Sequence, residues 1–342
     1  MNATVTRKTV AFTRNAVNVF FHILTRCNLN CRHCYINPAQ HGTQILDIDT
    51  IRTWLSVFVS DNRPVNLILL GGEPTLHPDL APAIKMARRL GYASITVDTN
   101  GYLFHNFLDR VTPADIDYLS FSLDGPTAEI NDPIRGNGSF AACTAGIGQA
   151  VDRGFAASLI YTVSAANINQ LEQMPPLLAD LGISRFFIQV LGIRGPGADG
   201  PDALTQVSRS RWNRVVPPVA EAVARSGITV TYPKVFLEPG EPFKCAGNVA
   251  GNYFIFPNGR VYRCPLCEDY PIHALSFENN RLIEQPAINE TDLFRLDIPE
   301  GCVMNKLVQP GNLAYGADGT PLYRIACCLL KEEIQVCDSP SA

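Results

Sequence analysis

Six short runs of apolar and β-branched residues, Asn18–Leu24, Val65–Leu70, Ala93–Asp98, Tyr118–Leu123, Ser158–Val163 and Phe186–Leu191, recur with helical patterns between them. Most are continuous rather than alternating, as strands covered on both faces of a parallel sheet must be. The intervening helices have legible ends. Asp79 is placed to cap a helix through Ala83, Met86 and Leu90 that stops at Gly91, and Ser139 to cap another that closes at Gly154. A further helical stretch runs from Ser208 to Ser226 and ends at Gly227. Strand-then-helix repetition means an α/β fold built from right-handed crossovers, either a doubly wound sheet or a partial barrel, and periodicity does not choose between them.

The texture changes after Tyr232. Pro233 to Pro242 carries three prolines and one glycine and reads as a linker; beyond it stand one clear hairpin, Tyr253–Phe256 and Arg260–Arg263 around Pro257-Asn258-Gly259, and then irregular, cysteine-bearing sequence. The expected division is residues 1–235 as the strand-helix unit and 240–342 as a smaller second domain, in keeping with a chain of 342 residues. Apolar content is thin for an independent core of about 100 residues, so a bound metal would supply cross-links.

Composition narrows the function classes. Charged residues make up 18% and the net charge is −4, so no basic field exists to hold nucleic acid by counterion release. No apolar window reaches the ~18 residues of a spanning helix. The run Ala16 to Leu24 reads as a strand, because His22 interrupts it and Thr25-Arg26-Cys27 stands where a small-residue cleavage site belongs. The expectation is a cytoplasmic chain that meets neither membrane nor nucleic acid. Of its eleven cysteines, seven lie between Cys245 and Cys337. In a reducing compartment, clustered cysteines hold metal or do chemistry; the alternative is a secreted disulfide scaffold.

Directly after the first strand comes Thr25-Arg26-Cys27-Asn28-Leu29-Asn30-Cys31-Arg32-His33-Cys34-Tyr35. Three thiolates on a loop at the carboxyl end of a strand can converge on one small cluster. In a [4Fe–4S] cube each iron wants a fourth ligand, so three cysteines leave one iron open to a substrate or cofactor. The competing reading is a zinc knuckle completed by His33 or His22, against which stands the lack of paired CxxC units in this loop. Cys143 shares an apolar helical stripe with Phe140, Ile147 and Val151 and reads as a core residue.

Cys27-x3-Cys31-x2-Cys34, with the aromatic His33 before its last cysteine, resembles the signature of the radical S-adenosylmethionine (radical SAM) superfamily. Gly71-Gly72-Glu73-Pro74 is similar to that family's GGE motif, whose carboxylate holds the methionine amino group. Asp98-Thr99-Asn100-Gly101 and Ser120-Phe121-Ser122-Leu123-Asp124-Gly125 resemble segments that line the cofactor. Singly, each is also an ordinary turn. In this order, each at a strand's carboxyl end where α/β folds gather ligands, they are far more specific.

The resemblance implies a partial (β/α)6 TIM-type barrel and a [4Fe–4S] cluster on Cys27, Cys31 and Cys34. It places S-adenosylmethionine against His33, Gly71, Gly72, Glu73 and Asn100, with Ser122 and Asp124 near the ribose hydroxyls and Arg135 on the methionine carboxylate. The chemistry implied is reductive cleavage of the sulfonium, with electrons from an external donor such as flavodoxin or ferredoxin. A 5′-deoxyadenosyl radical then removes a substrate hydrogen. The protein's part is positioning, exclusion of water and radical control.

Cys245-x13-Gly259-x4-Cys264, spanning the hairpin, is similar to the opening of the SPASM and twitch domains appended to many of these enzymes. Cys267, Cys302, Cys327, Cys328 and Cys337 depart from the SPASM pattern, so one auxiliary [4Fe–4S] cluster is expected, on Cys245, Cys264, Cys302 and either Cys327 or Cys328 (vicinal cysteines usually point apart). Cys267 is a possible replacement, and its spacing from Cys264 also suits a structural zinc. An auxiliary cluster in the tail would accept a second electron, anchor substrate, or tie the tail down.

The first strand begins near residue 18, leaving no room before it for a leader-recognition domain. A small-molecule substrate of sugar or nucleoside type is therefore favoured, with a ribosomally made peptide as the alternative. The C-terminus lacks the glycine-rich tail of molybdenum-cofactor cyclases, and nothing resembles a cobalamin-binding domain. Gln189 and Arg194, near the end of the sixth strand, are candidate substrate contacts or plain loop polarity. Two non-enzymatic readings remain: an iron–sulfur electron carrier and a zinc-stabilised binding module.

Overall fold

The computed structural model describes residues 5–10, 17–59, 63–195, 204–268, 270–286 and 288–336; Cys337 and the C-terminal run after Val336 lie outside them. Its strands are β1 (Val5–Val10), β2 (Val17–His22), β3 (Val65–Leu70), β4 (Ser94–Thr99), β5 (Tyr118–Ser122), β6 (Ala157–Val163), β7 (Arg185–Val190) and β8 (Thr229–Pro233). In the tail follow β9 (Phe236–Leu237), β10 (Gly251–Ile255), β11 (Arg260–Tyr262), β12 (Leu275–Glu278), β13 (Arg281–Glu284), β14 (Arg324–Ile325) and β15 (Lys331–Val336).

Strands β2 to β8 pair in parallel and in sequence order, with helices between them, and form a partial barrel. The six predicted strands are β2 to β7, displaced by one or two residues at some ends. The tail is hydrogen-bonded into both edges of this sheet. On one side β15 runs antiparallel to β8 and carries β1. On the other, β10 runs parallel to β2 and is followed by the antiparallel strands β11, β12 and β13. The proline-rich segment read as a linker holds the end of β8 and all of β9, which pairs with β14. Pro233 is the last residue of β8, and just beyond it the Lys234 N–H donates to the Leu330 carbonyl at 2.9 Å.

Two helix starts differ from expectation. Gly138, in a left-handed conformation, caps the helix that begins with Ser139, and the Ser139 hydroxyl instead bonds Asp132 and Asn131. Asp79 stands at its expected cap but makes no side-chain cap bond; its φ of −101° and ψ of 15° are not the extended conformation that aims a carboxylate at the first turn. Ser208 caps Arg209–Ala224 by accepting from the Arg211 N–H.

Alternation along the strands divides two environments. Val19, Phe21, Leu67, Leu69, Val97, Leu119, Phe121, Leu159 and Phe186 are fully buried under the helices. The opposite parity faces the barrel lumen and is polar at its base. There Asn18, Asn66, Ser94 and Asn252 bond side chain to side chain across four strands at 2.9–3.0 Å. Above them the same parity supplies Phe20, Leu70, Asp98, Ser122, Thr162, Gln189, Pro233 and Lys331 to a cavity at the barrel mouth.

The end of β3 seats the loop that follows β2. The Gly72 N–H donates to the Leu24 carbonyl at 3.1 Å and the Glu73 N–H to the Arg26 carbonyl at 3.0 Å. A Cβ at Gly72 would lie 2.1 Å from the Arg26 oxygen, and one at Gly71 2.3 Å from that of Leu24. Neither oxygen can retreat without losing its bond. Gly72→Ala is therefore expected to destabilise the chain by about 1–3 kcal/mol, as overpacking does; a denaturant midpoint equal to wild type would show that the loop yields freely.

Candidate active site at the barrel mouth

A cavity of about 680 Å³ opens at the carboxyl ends of the barrel strands. Cys27, Cys31 and Cys34 line it together with His33, Gly71, Gly72, Glu73, Asn100, Ser122 and Arg135, while the tail contributes Cys302 and Cys328. Of the residues the sequence assigned to the S-adenosylmethionine site, Asp124 alone does not face the cavity.

Asp124 instead anchors its neighbours from below. It is fully buried, 2.6 Å from the Arg135 Nε and 2.6 Å from the His33 Nε2, and its Oδ1 accepts from the Thr162 N–H at 2.7 Å. Burial alone would raise its pKa; the Arg135 charge and then His33 outweigh that and hold the carboxyl down at about 2. The arginine predicted for a methionine carboxylate is thus ion-paired to a protein carboxylate. Its carbonyl faces the Cys31 thiol at 3.6 Å, and the neighbouring Ile134 carbonyl accepts from the Arg32 N–H at 2.9 Å.

Glu73 is also fully buried. Its Oε1 accepts from the Thr75 N–H, the Thr75 hydroxyl and the Thr99 hydroxyl at 2.6–3.0 Å, and its Oε2 from the Asn100 N–H at 2.7 Å. The Asn100 amide donates to Asn28 Oδ1 at 2.7 Å, tying the end of β4 to the cysteine loop. Burial pushes the Cys27 thiol up to about 12 and raises Cys31 and Cys34 as well. Such thiols become thiolates readily only beside a metal.

Neither histidine of the zinc alternative joins these sulfurs. His33 is held by Asp124; His22 bonds the Ile255 carbonyl and the Tyr35 hydroxyl at 2.8 and 2.7 Å and stacks on Phe256. Burial drops the His22 pKa to about 3. Among the described residues no three histidine, cysteine or acidic side chains gather as one ion's ligands. Three cysteines on one loop, seated on a glycine cradle and open to a cavity that also holds the buried Glu73 and Arg135, fit a cluster with one free corner.

In the tail, thiols contact in a chain: Cys245 with Cys327, Cys327 with Cys328, Cys328 with Cys264, and Cys264 with Cys267. The vicinal pair, expected to diverge, turns both sulfurs into this group. Cys302 caps Val303–Val308, its sulfur accepting from the Asn305 N–H at 3.4 Å, and burial pushes it up to about 12. Cys143 is buried in the barrel core. Gln189 and Arg194 both line the cavity; Arg194 lies 2.7 Å from Glu268 and its guanidinium over the Tyr35 ring, so it joins barrel to tail.

Four lining residues carry charge to which the sequence pattern gave no role: Glu268, paired with Arg194, and three more. Asp98, at the end of β4, is raised to about 7 by burial and by the nearby Glu73 charge, against a hydrogen bond from Ser120. Lys331 and Arg209 enter from β15 and from the first turn of Arg209–Ala224. The period-2 alternation of the last strand was the available signal for Lys331; its pairing partner β8 was not.

A partial β/α barrel carrying three thiols and a buried, hydrogen-bonded glutamate around one cavity defines an enzyme built to hold an iron–sulfur cluster and a small polar cofactor. Residues 21–174 match the family model of the radical SAM superfamily. Its cofactors are accordingly a [4Fe–4S] cluster and S-adenosylmethionine. Over 192 residues it is 32% identical to pre-heme d1 synthase of Dinoroseobacter shibae, a match covering 52% of this chain and 44% of that enzyme. Over 261 residues it is 29% identical to the PqqA peptide cyclase of Ruegeria pomeroyi, covering 74% and 68%. The fold is shared with Streptococcus suis SuiB bound to its precursor peptide SuiA, with a TM-score of 0.60 at 13% identity over 88% of this chain and 66% of that one. Among the described residues no helix is long and apolar enough to cross a membrane.

Asp124→Asn removes the charge that compensates Arg135 and His33 and is expected to cost about 3–5 kcal/mol. Because the folded carboxyl titrates at about 2 and an unfolded one near ~3.9, this stabilisation is complete above ~4 and disappears as pH falls through the folded value. In the metal-free chain the gap in melting temperature between wild type and variant should narrow below pH ~4; a gap constant to pH 2 would contradict the ion-pair account.

Proposed function

We propose that this enzyme abstracts hydrogen from a peptide substrate held in the cavity between the two groups of thiols, and that the tail holds one auxiliary [4Fe–4S] cluster. The observation that carries this reading is the single cavity itself, with Cys27, Cys31 and Cys34 in one wall and Cys302 and Cys328 in another. Similarity to the peptide cyclase extends over 74% of the chain, whereas that to the enzyme of a small tetrapyrrole covers 52%. A peptide therefore stands ahead of the sugar or nucleoside expected from the sequence.

The residues divide the work. Cys27, Cys31 and Cys34 would hold the first cluster, and Glu73, Asn100 and Ser122 would contact S-adenosylmethionine. Bound there, the pair would supply one-electron cleavage of the sulfonium and removal of a substrate hydrogen atom, with electrons from an external donor such as flavodoxin or ferredoxin. Cys245, Cys264, Cys302 and Cys327 would hold the auxiliary cluster, which would supply a sink for a second electron. Cys328 and Cys267 adjoin these ligands.

Beyond the tail cysteines, Gln206 donates to Gln309 at 3.1 Å and Asn312 to Gln309 at 2.9 Å; with Asn305 these amides line the cavity and offer a peptide backbone both donors and acceptors. Asp98, poised near neutrality at the wall of the same cavity, accepts a proton that the oxidised substrate releases.

Anaerobic incubation with reductant and S-adenosylmethionine should release 5′-deoxyadenosine from wild type. Cys31→Ala should abolish that product and Cys302→Ala should spare it while lowering iron content. Release undiminished in Cys31→Ala would refute the assignment. With a substrate peptide found by screening, Asp98→Asn is expected to slow product formation by about 10²-fold or more, within the usual range for a lost general base. It should leave 5′-deoxyadenosine release in place; unchanged product formation would remove Asp98 from the mechanism.

A further inference from the structure

Among the described residues, two cations in the cavity wall pair with no carboxylate. Lys331 begins β15 directly opposite Pro233 and, by parity, faces the barrel mouth; both residues line the cavity. Among the described residues it makes no salt bridge; burial lowers its pKa from the ordinary lysine value, opposed by the nearby sulfurs of Cys328 and Cys327. The acids that follow it are engaged: Glu332 with Arg7 at 3.2 Å and Glu333 with Arg185 at 3.5 Å. Arg209 also lines the cavity without a salt bridge among the described residues, and its Nε is buried with no hydrogen-bond partner. Its guanidinium lies 5.8 Å from the centre of the Phe236 ring and 5.9 Å from that of Tyr323. Phe236 is three residues from Pro233 in sequence, and both cations line the one cavity.

The acids of the cavity do not answer them. Glu73 already accepts from four donors at the far side of the barrel mouth, and Glu268 pairs with Arg194. Asp98 lies on β4, with β5, β6, β7 and β8 between it and β15. Cationic groups held in an enclosed wall, one of them fixed by two aromatic faces, are costly unless an anion completes them. Val235, Leu329 and the two rings surround the pair with apolar surface.

We propose that Lys331 and Arg209 form a binding site for an anionic group of the substrate, a carboxylate or a phosphate carried on an apolar arm, entering the cavity on the side of β8 and β15. This rests on the reading of the cavity as the substrate site. The site gives the tail strand β15 a second role. Besides closing the barrel sheet, this strand fixes which end of the substrate faces away from Glu73 and the GGE turn. A neutral peptide, or one whose acidic side chain is replaced by its amide, would bind without that orientation.

The test is anaerobic isothermal titration of the reconstituted full chain with hexanoate, n-butyl phosphate and, as the uncharged control, hexanol. Wild type should bind one or both anions saturably and more tightly than hexanol, and the preferred anion names the group. Lys331→Met should weaken that binding at least tenfold, the size expected for a lost hydrogen bond to a charged group; Lys331→Arg should restore most of it, and Arg209→Gln should weaken it too. Hexanol affinity should not move.

Equal binding of anion and hexanol, no saturable anion binding, or anion affinity unchanged in Lys331→Met would overturn the proposal. So would a Lys331→Met chain that loses iron while keeping its anion affinity, since the ammonium would then serve Cys327 and Cys328. Release of 5′-deoxyadenosine, measured on the same samples without substrate, reports separately on the enzyme reading. Loss of release in wild type refutes that reading, and loss of anion binding alone refutes this one.

Discussion

The seat of the cysteine loop is the constraint from which the rest follows. Three thiols serve one cluster only if the backbone from Leu24 to Tyr35 is held in one conformation, and elements from four strand ends hold it. The turn after β3 bonds the Leu24 and Arg26 carbonyls, which is why Gly71 and Gly72 are needed there. The end of β4 reaches Asn28 through Asn100. Asp124, after β5, grips His33 and Arg135, and β6 fixes Asp124 through the Thr162 N–H. The loop is short and polar, yet scarcely free to move, because its partners are buried charges and backbone groups that would be left unsatisfied if it did.

The tail extends that frame instead of sitting beside it. With β15 on β8 and β10 on β2, the cysteine-bearing segments are fastened to both edges of the barrel, and the strand edges are covered. The consequence for chemistry is geometric. Thiols from the tail face the same cavity as those of the first loop, and the loop after β7 is locked to the tail through Arg194, Glu268 and Tyr35. A substrate in this cavity is therefore walled by both parts of the chain, which is what exclusion of water from a radical reaction requires.

Strands β2 to β7 are legible because each is buried on one face by helices and bounded by turn residues, so composition and length agree. Strands β1, β8 and β15 are not: Thr229–Pro233 ends in proline, and Lys331–Val336 opens with three charged residues that only pairing with β8, Arg7 and Arg185 makes acceptable. The three-cysteine loop, Glu73 and Asn100 are readable as motif because each stands at a strand end; Arg135 closes the helix Ala128–Arg135 and is readable only by resemblance. Their partners are not readable. Nothing local in the sequence says that Arg135 pairs with Asp124, which depends on how the helix Ala128–Arg135 folds back on the end of β5, or that Cys328 touches Cys264, which joins distant parts of the tail. Asp98 and Lys331 look like ordinary strand polarity until the lumen is assembled around them.

Electron paramagnetic resonance of the anaerobically reduced chain, recorded before and after addition of S-adenosylmethionine, tests most directly whether the cluster on Cys27, Cys31 and Cys34 has a corner open to that molecule. The account predicts a distinct change in the signal of that cluster, retained when Cys302 is replaced so that the tail does not contribute. A cluster signal that S-adenosylmethionine leaves unaltered, in a chain with full iron on the first loop, would contradict it.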